Sequence, residues 1–230
     1  MCGRFTLTAE WGLVRDWFYI EFMEQMEKIA PRYNAAPGQH ILAVLAHEGK
    51  RRAGFLKWGL PSPAAAKRST PLINARAETL AQRPTFRTLV ARKRCIIPAD
   101  GFYEWKVSDG NKKQPLRITL RDRPLFSFAA LYDTYQSEDG ARHHSCVIVT
   151  TASNRFMSPI HERMPAILRR EDEELWLDRS VTDADRLLPL LSRQPSEEMQ
   201  AYPVSTSIGN VRWDEPECIA PAGDTAGFTG

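Results

Sequence analysis

Residues 95–107 read CIIPADGFYEWKV, and after the polar turn SDGNKKQ (108–114) the chain continues as PLRITLRD (115–122). Two apolar runs around a turn bearing Gly and Asn predict a β-hairpin. The pattern recurs on both sides. Residues 40–60, HILAVLAHEGKRRAGFLKWGL, set two apolar runs about HEGK. Residues 124–135, PLFSFAALYDTY, and 143–152, HHSCVIVTTA, flank the acidic turn QSEDGAR. Hairpins therefore dominate the middle of the chain. The pattern is α+β: a mostly antiparallel, β-barrel-like core with surrounding helices, and not a βαβ series.

Outside the hairpins, residues 8–29 read as one helix with Thr8 as its N-cap. Residues 31–39 and 61–71 read as loops, and 76–94 as a helix interrupted at Pro84. Residues 154–168 begin with helix or turn character, 170–178 and 183–192 are short amphipathic helices, and 201–211 are a last strand and turn. With no internal repeat and no long linker, one domain is expected over residues 1–215. The small, polar end of the chain predicts a flexible tail over 216–230.

The chain has 230 residues, 43% of them hydrophobic, enough for a substantial core. No apolar run approaches the ~18 residues of a membrane helix, and the start of the chain lacks the apolar stretch of a signal peptide. A soluble, cytoplasmic monomer that does not engage a membrane is expected. The formal charge of +3 neither demands nor excludes nucleic acid. Cys2, Cys95, Cys146 and Cys218 form no C-x-x-C pair, so no zinc knuckle or thioredoxin motif is offered and free thiols are expected. Cys95 and Cys146 sit in apolar runs and read as core. No metal and no cofactor are predicted.

Polar residues in otherwise apolar segments are the informative ones. Glu104 lies between Tyr103 and Trp105. On an outward face it would be ordinary; buried among aromatics, its pKa would rise and suit it to proton transfer. His161 is a structural residue or, in a cleft, a proton shuttle near neutral pH. Asn74 could cap the following helix or aim its amide at a reacting group. Arg4, Trp58, Arg76, Phe86, Arg87, Arg94 and Arg163 interleave cations and aromatics. They read either as solvated arginines and core rings or as a groove that holds phosphates and stacks a base. Residues 92–94, RKR, fit a helix C-terminus, where cations complement the dipole.

Cys2 is the residue that asks for a reaction. Once Met1 is removed, it carries an α-amine with a typical pKa of ~7.7–8.0 beside a thiol of ~8.5. A neutral amine attacks an aldehyde to give a Schiff base, and the adjacent thiol then closes a five-membered thiazolidine, favoured because it is already held in place. Gly3 leaves the backbone open to close approach.

The segments MCGRF (1–5), RYNAAPGQ (32–39), WGL (58–60), INARAET (73–79), IIPADGFYEWK (96–106), IVTTASN (148–154), IHERMP (160–165) and PVSTSIGN (203–210) occur in one order along the chain. Together they resemble the SOS-response-associated peptidase family of abasic-site processing proteins. The resemblance implies one α+β domain around a barrel-like core, an autopeptidase that removes its own Met1, and covalent capture of abasic sites in single-stranded DNA. A lyase activity and an association with the nucleoid are further implications. By position, Cys2 matches the nucleophile, Asn74 the asparagine beside it, Glu104 the catalytic glutamate and His161 the histidine that helps open the sugar. Arg4, Asn34, Pro37, Trp58, Arg76, Thr150 and Arg163 fall at or beside DNA-contacting positions. Residues 61–70, PSPAAAKRST, lack the tryptophans of some members; Phe86 is the expected substitute for stacking and Arg87 an alternative cation.

Two other classes fit parts of the sequence. An N-terminal cysteine also suits a glutamine amidotransferase, but no companion glutamine-site motif such as RGPD is present. A non-covalent nucleic-acid-binding module would make Cys2 incidental.

Overall fold

The computed structural model describes residues 2–23, 29–61, 70–107, 110–136, 140–192 and 195–223. Along the first third run β1 (Phe5–Leu7), α1 (Trp11–Trp17), β2 (Ile20–Met23), β3 (Arg32–Ala35), β4 (His40–His47), β5 (Lys50–Trp58) and β6 (Asn74–Arg76). Then come α2 (Pro84–Arg92), β7 (Arg94–Ala99), β8 (Gly101–Val107), β9 (Lys113–Leu120), β10 (Phe126–Gln136) and β11 (Arg142–Ala152). The last elements are β12 (Arg163–Pro165), β13 (Ile167–Leu168), α3 (Asp172–Leu177), α4 (Ala184–Leu187) and β14 (Met199–Pro203).

The three expected hairpins form as β4–β5, β8–β9 and β10–β11. They serve two sheets. In the larger, β11, β10, β7, β4 and β5 pair in succession, and β5 returns to β11 through the parallel rungs Ser145↔Lys57 and Cys146↔Trp58. That closure makes a five-stranded barrel, filled by alternate side chains. The smaller sheet runs β14, β9, β8, β1, β3 and covers one flank. Phe5 lies between the two sheets, its ring 5.5 Å from that of Trp58 and 5.8 Å from that of Phe128. Pairings among the described residues are mostly antiparallel, so the α+β expectation holds. No described helix is long and apolar enough to cross a membrane.

The stretch CIIPADGFYEWKV is not one strand. Its first half, β7, belongs to the barrel and its second, β8, to the flanking sheet. Asp100 makes the switch. Its carboxylate accepts hydrogen bonds from the Thr6 hydroxyl, the Thr8 and Ala9 amides, the Thr8 hydroxyl and the Arg117 guanidinium. Gly101 follows because a Cβ there would stand 2.7 Å from Arg117 Nε. Gly101→Ala would displace a buried ion pair in a full core. It should cost about 1–3 kcal/mol of unfolding free energy, measurable by urea denaturation.

Several local expectations change. The helix read over 8–29 stops at Trp17: Tyr19 takes φ +50°, and Ile20–Met23 become a strand parallel to β5. Aromatic and β-branched residues in YIEF suit a strand once a partner edge exists. Thr8 is not the cap; it binds Asp100, and α1 begins after Glu10 without a side-chain cap. The loop expected at 31–39 contains β3, paired with β1 and held by Asp214, whose carboxylate accepts from the Tyr33 and Asn34 amides. Pro84 does not interrupt a helix but starts one, at a position where its missing N–H is no loss. The tail expected from residue 216 begins with a 3₁₀ turn, Pro216–Ile219, that buries Cys218 beside Tyr103. Residues 224–230 lie outside the described residues, as does most of the loop expected at 61–71.

Candidate active site

The two sheets meet at the start of the chain. β1 pairs with β8 in the register Phe5↔Phe102, and the Tyr103 amide donates to the Arg4 carbonyl at 3.0 Å. Continuing that register outward sets Gly3 opposite Glu104. Cys2 and Glu104 therefore come from the flanking sheet. The barrel supplies the other two residues through β11. On one side β6 runs parallel to it, with Asn74 opposite Ile148; on the other β12 runs antiparallel, with Arg163 opposite Ala152 and His161 just before it. Asn74 and His161, far apart in sequence, are thus brought near each other because β6 and β12 flank β11 on opposite sides.

Cys2 is fully buried. Burial first, and the charge of Glu104 second, push its thiol well above the ordinary range, while a hydrogen bond from the Arg4 amide pulls the other way. Glu104, 3% exposed, has its carboxyl pushed up by burial and drawn back by His161. Cys2, Glu104 and His161 therefore share one electrostatic neighbourhood. Asn74 joins it directly: its Nδ2 donates to the Cys2 carbonyl at 2.8 Å. Its Oδ1 is buried with no hydrogen-bond partner among the described residues. Such an acceptor costs about 1–3 kcal/mol, which is reason to ask what donor it awaits.

His161 is held by its own strand. Nδ1 lies 2.9 Å from the Arg163 amide and 3.1 Å from the Arg163 carbonyl. A neutral ring accepts from the amide through Nδ1 and so carries its proton on Nε2. A protonated ring turns Nδ1 into a donor toward the carbonyl without reorienting.

The expected DNA contacts divide. Arg76 and Arg87 are exposed, and Pro37 is half-buried in the turn after β3. Arg4 is half-buried: it donates to Asn34 Oδ1 at 2.8 Å and to the Ile208 and Gly209 carbonyls, and its guanidinium lies 5.9 Å from the Trp105 ring. Four others are interior. Trp58 is fully buried, its indole N–H bonded to the Ile73 carbonyl, so its ring cannot stack on a base. Phe86 packs in the core beneath α2. Asn34 donates to the Ile208, Asn210 and Trp213 carbonyls, which uses its amide to tie β3 to the last turns. Thr150 is buried in β11, where its carbonyl and hydroxyl accept from Arg163. Arg163 itself makes a two-pronged ion pair with Glu78, at 2.7 and 3.0 Å. Arg94, read among the groove cations, is likewise buried.

Glu78 went unread in the sequence. Its carboxyl also accepts from the Ala152 amide at 3.1 Å, and the Arg163 hydrogen bond chiefly holds its pKa below the usual range, against burial. The available signal was its place four residues after Asn74 in INARAET, but its partner lies 85 residues further on.

The family model described as SOS response associated peptidase (SRAP) matches residues 1–211. The abasic site processing protein YoqW of Bacillus subtilis is 43% identical over 95% of this chain and 99% of its own length. The abasic site processing protein YedK of Escherichia coli is 32% identical over 96% of this chain and all of its own. A crystal structure of a Bacteroides thetaiotaomicron protein superposes with a TM-score of 0.84 at 27% identity, over 96% of this chain and all of that one.

Proposed function

The chain belongs to the SOS response associated peptidase (SRAP) family, and on that premise we propose that it processes abasic sites in single-stranded DNA by capturing them covalently on Cys2 after loss of Met1. The observation that carries the reading is the meeting of Cys2, Asn74, Glu104 and His161 where the two sheets join. The relatives named abasic site processing proteins supply the substrate class.

Met1 leaves by hydrolysis of the Met1–Cys2 peptide bond, with Glu104 as the base that activates water. This exposes the α-amine. The Cys2 thiol is held protonated by its surroundings, so the amine is the first nucleophile. The ring-opened abasic sugar presents an aldehyde. Amine attack forms the C–N bond, and the departing oxygen leaves as water to give an imine. The thiol then adds to the imine carbon; the C–S bond forms and the thiol proton ends on nitrogen. One aldehyde and one aminothiol thus give one thiazolidine and one water. Glu104 relays the protons, and burial, by raising its proton affinity, suits it to give a proton as well as take one. His161 protonates the sugar ring oxygen as it opens. Asn74 Oδ1 accepts an N–H of the freed amine and, being uncharged, orients it without holding it protonated. Arg76 and Arg87 are the exposed cations available to phosphates.

The test mixes the purified protein, its N-terminus read by mass spectrometry, with a uracil oligonucleotide pretreated with uracil glycosylase. A denaturation-resistant adduct should form, and Cys2→Ala should reduce it to background. Protein that retains Met1 should also give none, because its α-amine is not on Cys2. Absence of an adduct from wild-type protein that lacks Met1 would overturn the reading.

A further inference from the structure

One carboxylate holds both sides of the rung on which His161 depends. β12 is three residues long, and its first residue, Arg163, pairs with Ala152, the last residue of β11. Beyond this rung, among the described residues, a single backbone hydrogen bond, from the Ser153 amide to the Glu162 carbonyl at 3.0 Å, ties the two segments. Glu78 closes the rung from outside: it accepts from the Ala152 amide on one strand and from both terminal nitrogens of Arg163 on the other. The Arg163 guanidinium also reaches the carbonyl of Thr150 at 2.8 Å, two residues back along β11. The amide of this clamped Arg163 is the donor to His161 Nδ1. Glu78 lies four residues after Asn74, whose strand β6 rides on the same β11. A single side chain therefore links the segment that carries Asn74 to the segment that carries His161.

From this geometry we infer that Glu78 is a positioning residue: through Arg163 it sets the ring orientation and the neutral tautomer of His161. The inference rests on the capture reading for its kinetic consequence but not for its structural one. In the clamped state the Arg163 amide points at Nδ1, so the neutral ring keeps its proton on Nε2. In Glu78→Gln the Arg163 guanidinium loses its counter-charge, and one of the two acceptor oxygens of the two-pronged pair becomes an N–H donor, so the clamp loosens and the rung opens. The amide then leaves Nδ1, and the two tautomers mix.

The experiment has two arms. In the first, protein labelled with ¹⁵N in its histidine rings is observed by NMR without DNA. The His161 signals are assigned by their loss in His161→Ala. Wild type should show Nδ1 unprotonated and Nε2 protonated in the neutral ring; Glu78→Gln should show a mixture, and Glu78→Asp, which keeps the charge on a shorter stem, should restore part of the preference. In the second arm, adduct formation on abasic single-stranded DNA should slow about 10–100-fold in Glu78→Gln, the scale of a misplaced reacting group. The same change made in His161→Ala should slow it no further. A wild-type tautomer in Glu78→Gln, or an undiminished extra loss in the His161→Ala background, overturns the inference. Should Glu78→Gln not fold, Glu78→Asp carries the same comparison. If wild-type protein lacking Met1 forms no adduct, the capture reading fails, while the NMR arm still decides whether Glu78 orients His161.

Discussion

Once freed of Met1 by an aminopeptidase, with its N-terminus read by mass spectrometry, Glu104→Gln is expected to slow covalent capture by about 10²–10⁴-fold, the usual contribution of a positioned acid or base, and to leave the fold intact. Glutamine has the same shape, and the site on β8 between Tyr103 and Trp105 can hold it. What it removes is the exchangeable proton. The comparison separates two explanations of the site. The charge of Glu104 helps hold the Cys2 thiol above its ordinary range. Neutral glutamine relieves that effect, so the thiol becomes more acidic in the variant. If capture were limited by the supply of thiolate, Glu104→Gln would be as fast as wild type or faster. If proton relay is limiting, it is slow in spite of the more acidic thiol. Single-turnover adduct formation, paired with a titration of Cys2 by a thiol reagent, distinguishes them. A variant with undiminished rate would remove Glu104 from the mechanism.

Stability moves in the opposite direction. Burial raises the Glu104 pKa in the folded protein above its unfolded value. The folded state therefore binds this proton more tightly, and that contribution is complete below the ordinary carboxylate range of ~4.3 and lost as pH rises through the raised value. Above that value wild type carries the cost of an ionised carboxylate in the interior, and Glu104→Gln does not. Loss of activity together with undiminished stability above that raised value marks a residue kept for chemistry.

The contrast between Glu104 and the expected DNA contacts shows what was legible. Hairpins announce themselves locally: β4 and β5 alternate about Glu48 and Gly49, both at positive φ, and the turn fixes the register. Short strands do not. β3 is a strand because β1 lies beside it and because Asp214, 180 residues or more away, accepts its amides. No window around RYNA contains that information. The chemistry of Cys2, Asn74, Glu104 and His161 follows from residue type and from motif, but their convergence needs two pairings far apart in sequence, β1 with β8 and β6 and β12 with β11. Trp58 reads as a contact among interleaved cations and aromatics, and Asn34 by its position in the family pattern; closure of the barrel turns Trp58 inward, and turns near the end of the described residues cover Asn34. Composition reports polarity; exposure is decided by the partner strand.

Arg94 carries the same lesson into energetics, and its replacement should give the largest loss of stability. Its guanidinium is buried and donates to five carbonyls: Val90 and Ala91 at the end of α2, Trp176 at 2.5 Å in α3, and Asp178 and Val181 beyond it. It closes the helix C-terminus, as the sequence RKR suggests, and also binds a second helix to the first. Burial chiefly, opposed by the nearby Asp178, lowers its pKa to about 10, so it remains charged at neutral pH. Arg94→Met keeps the length and apolar stem but removes every donor. Since each stranded buried carbonyl costs about 1–3 kcal/mol and water can enter to satisfy some, a loss of about 4 kcal/mol or more is expected. That is a large part of the ~5–15 kcal/mol that stabilises a domain. Arg94→Lys should recover only a fraction, because a compact ammonium with three donors cannot reach five acceptors spread around a guanidinium fork. Urea denaturation measures both. A loss below about 1 kcal/mol for Arg94→Met would show that solvent replaces the fork freely, and the clamp would then be no determinant of the fold. Because these five bonds touch none of Cys2, Asn74, Glu104 or His161, the fraction of Arg94→Met that stays folded should capture DNA at the wild-type rate. Glu104→Gln should do the reverse.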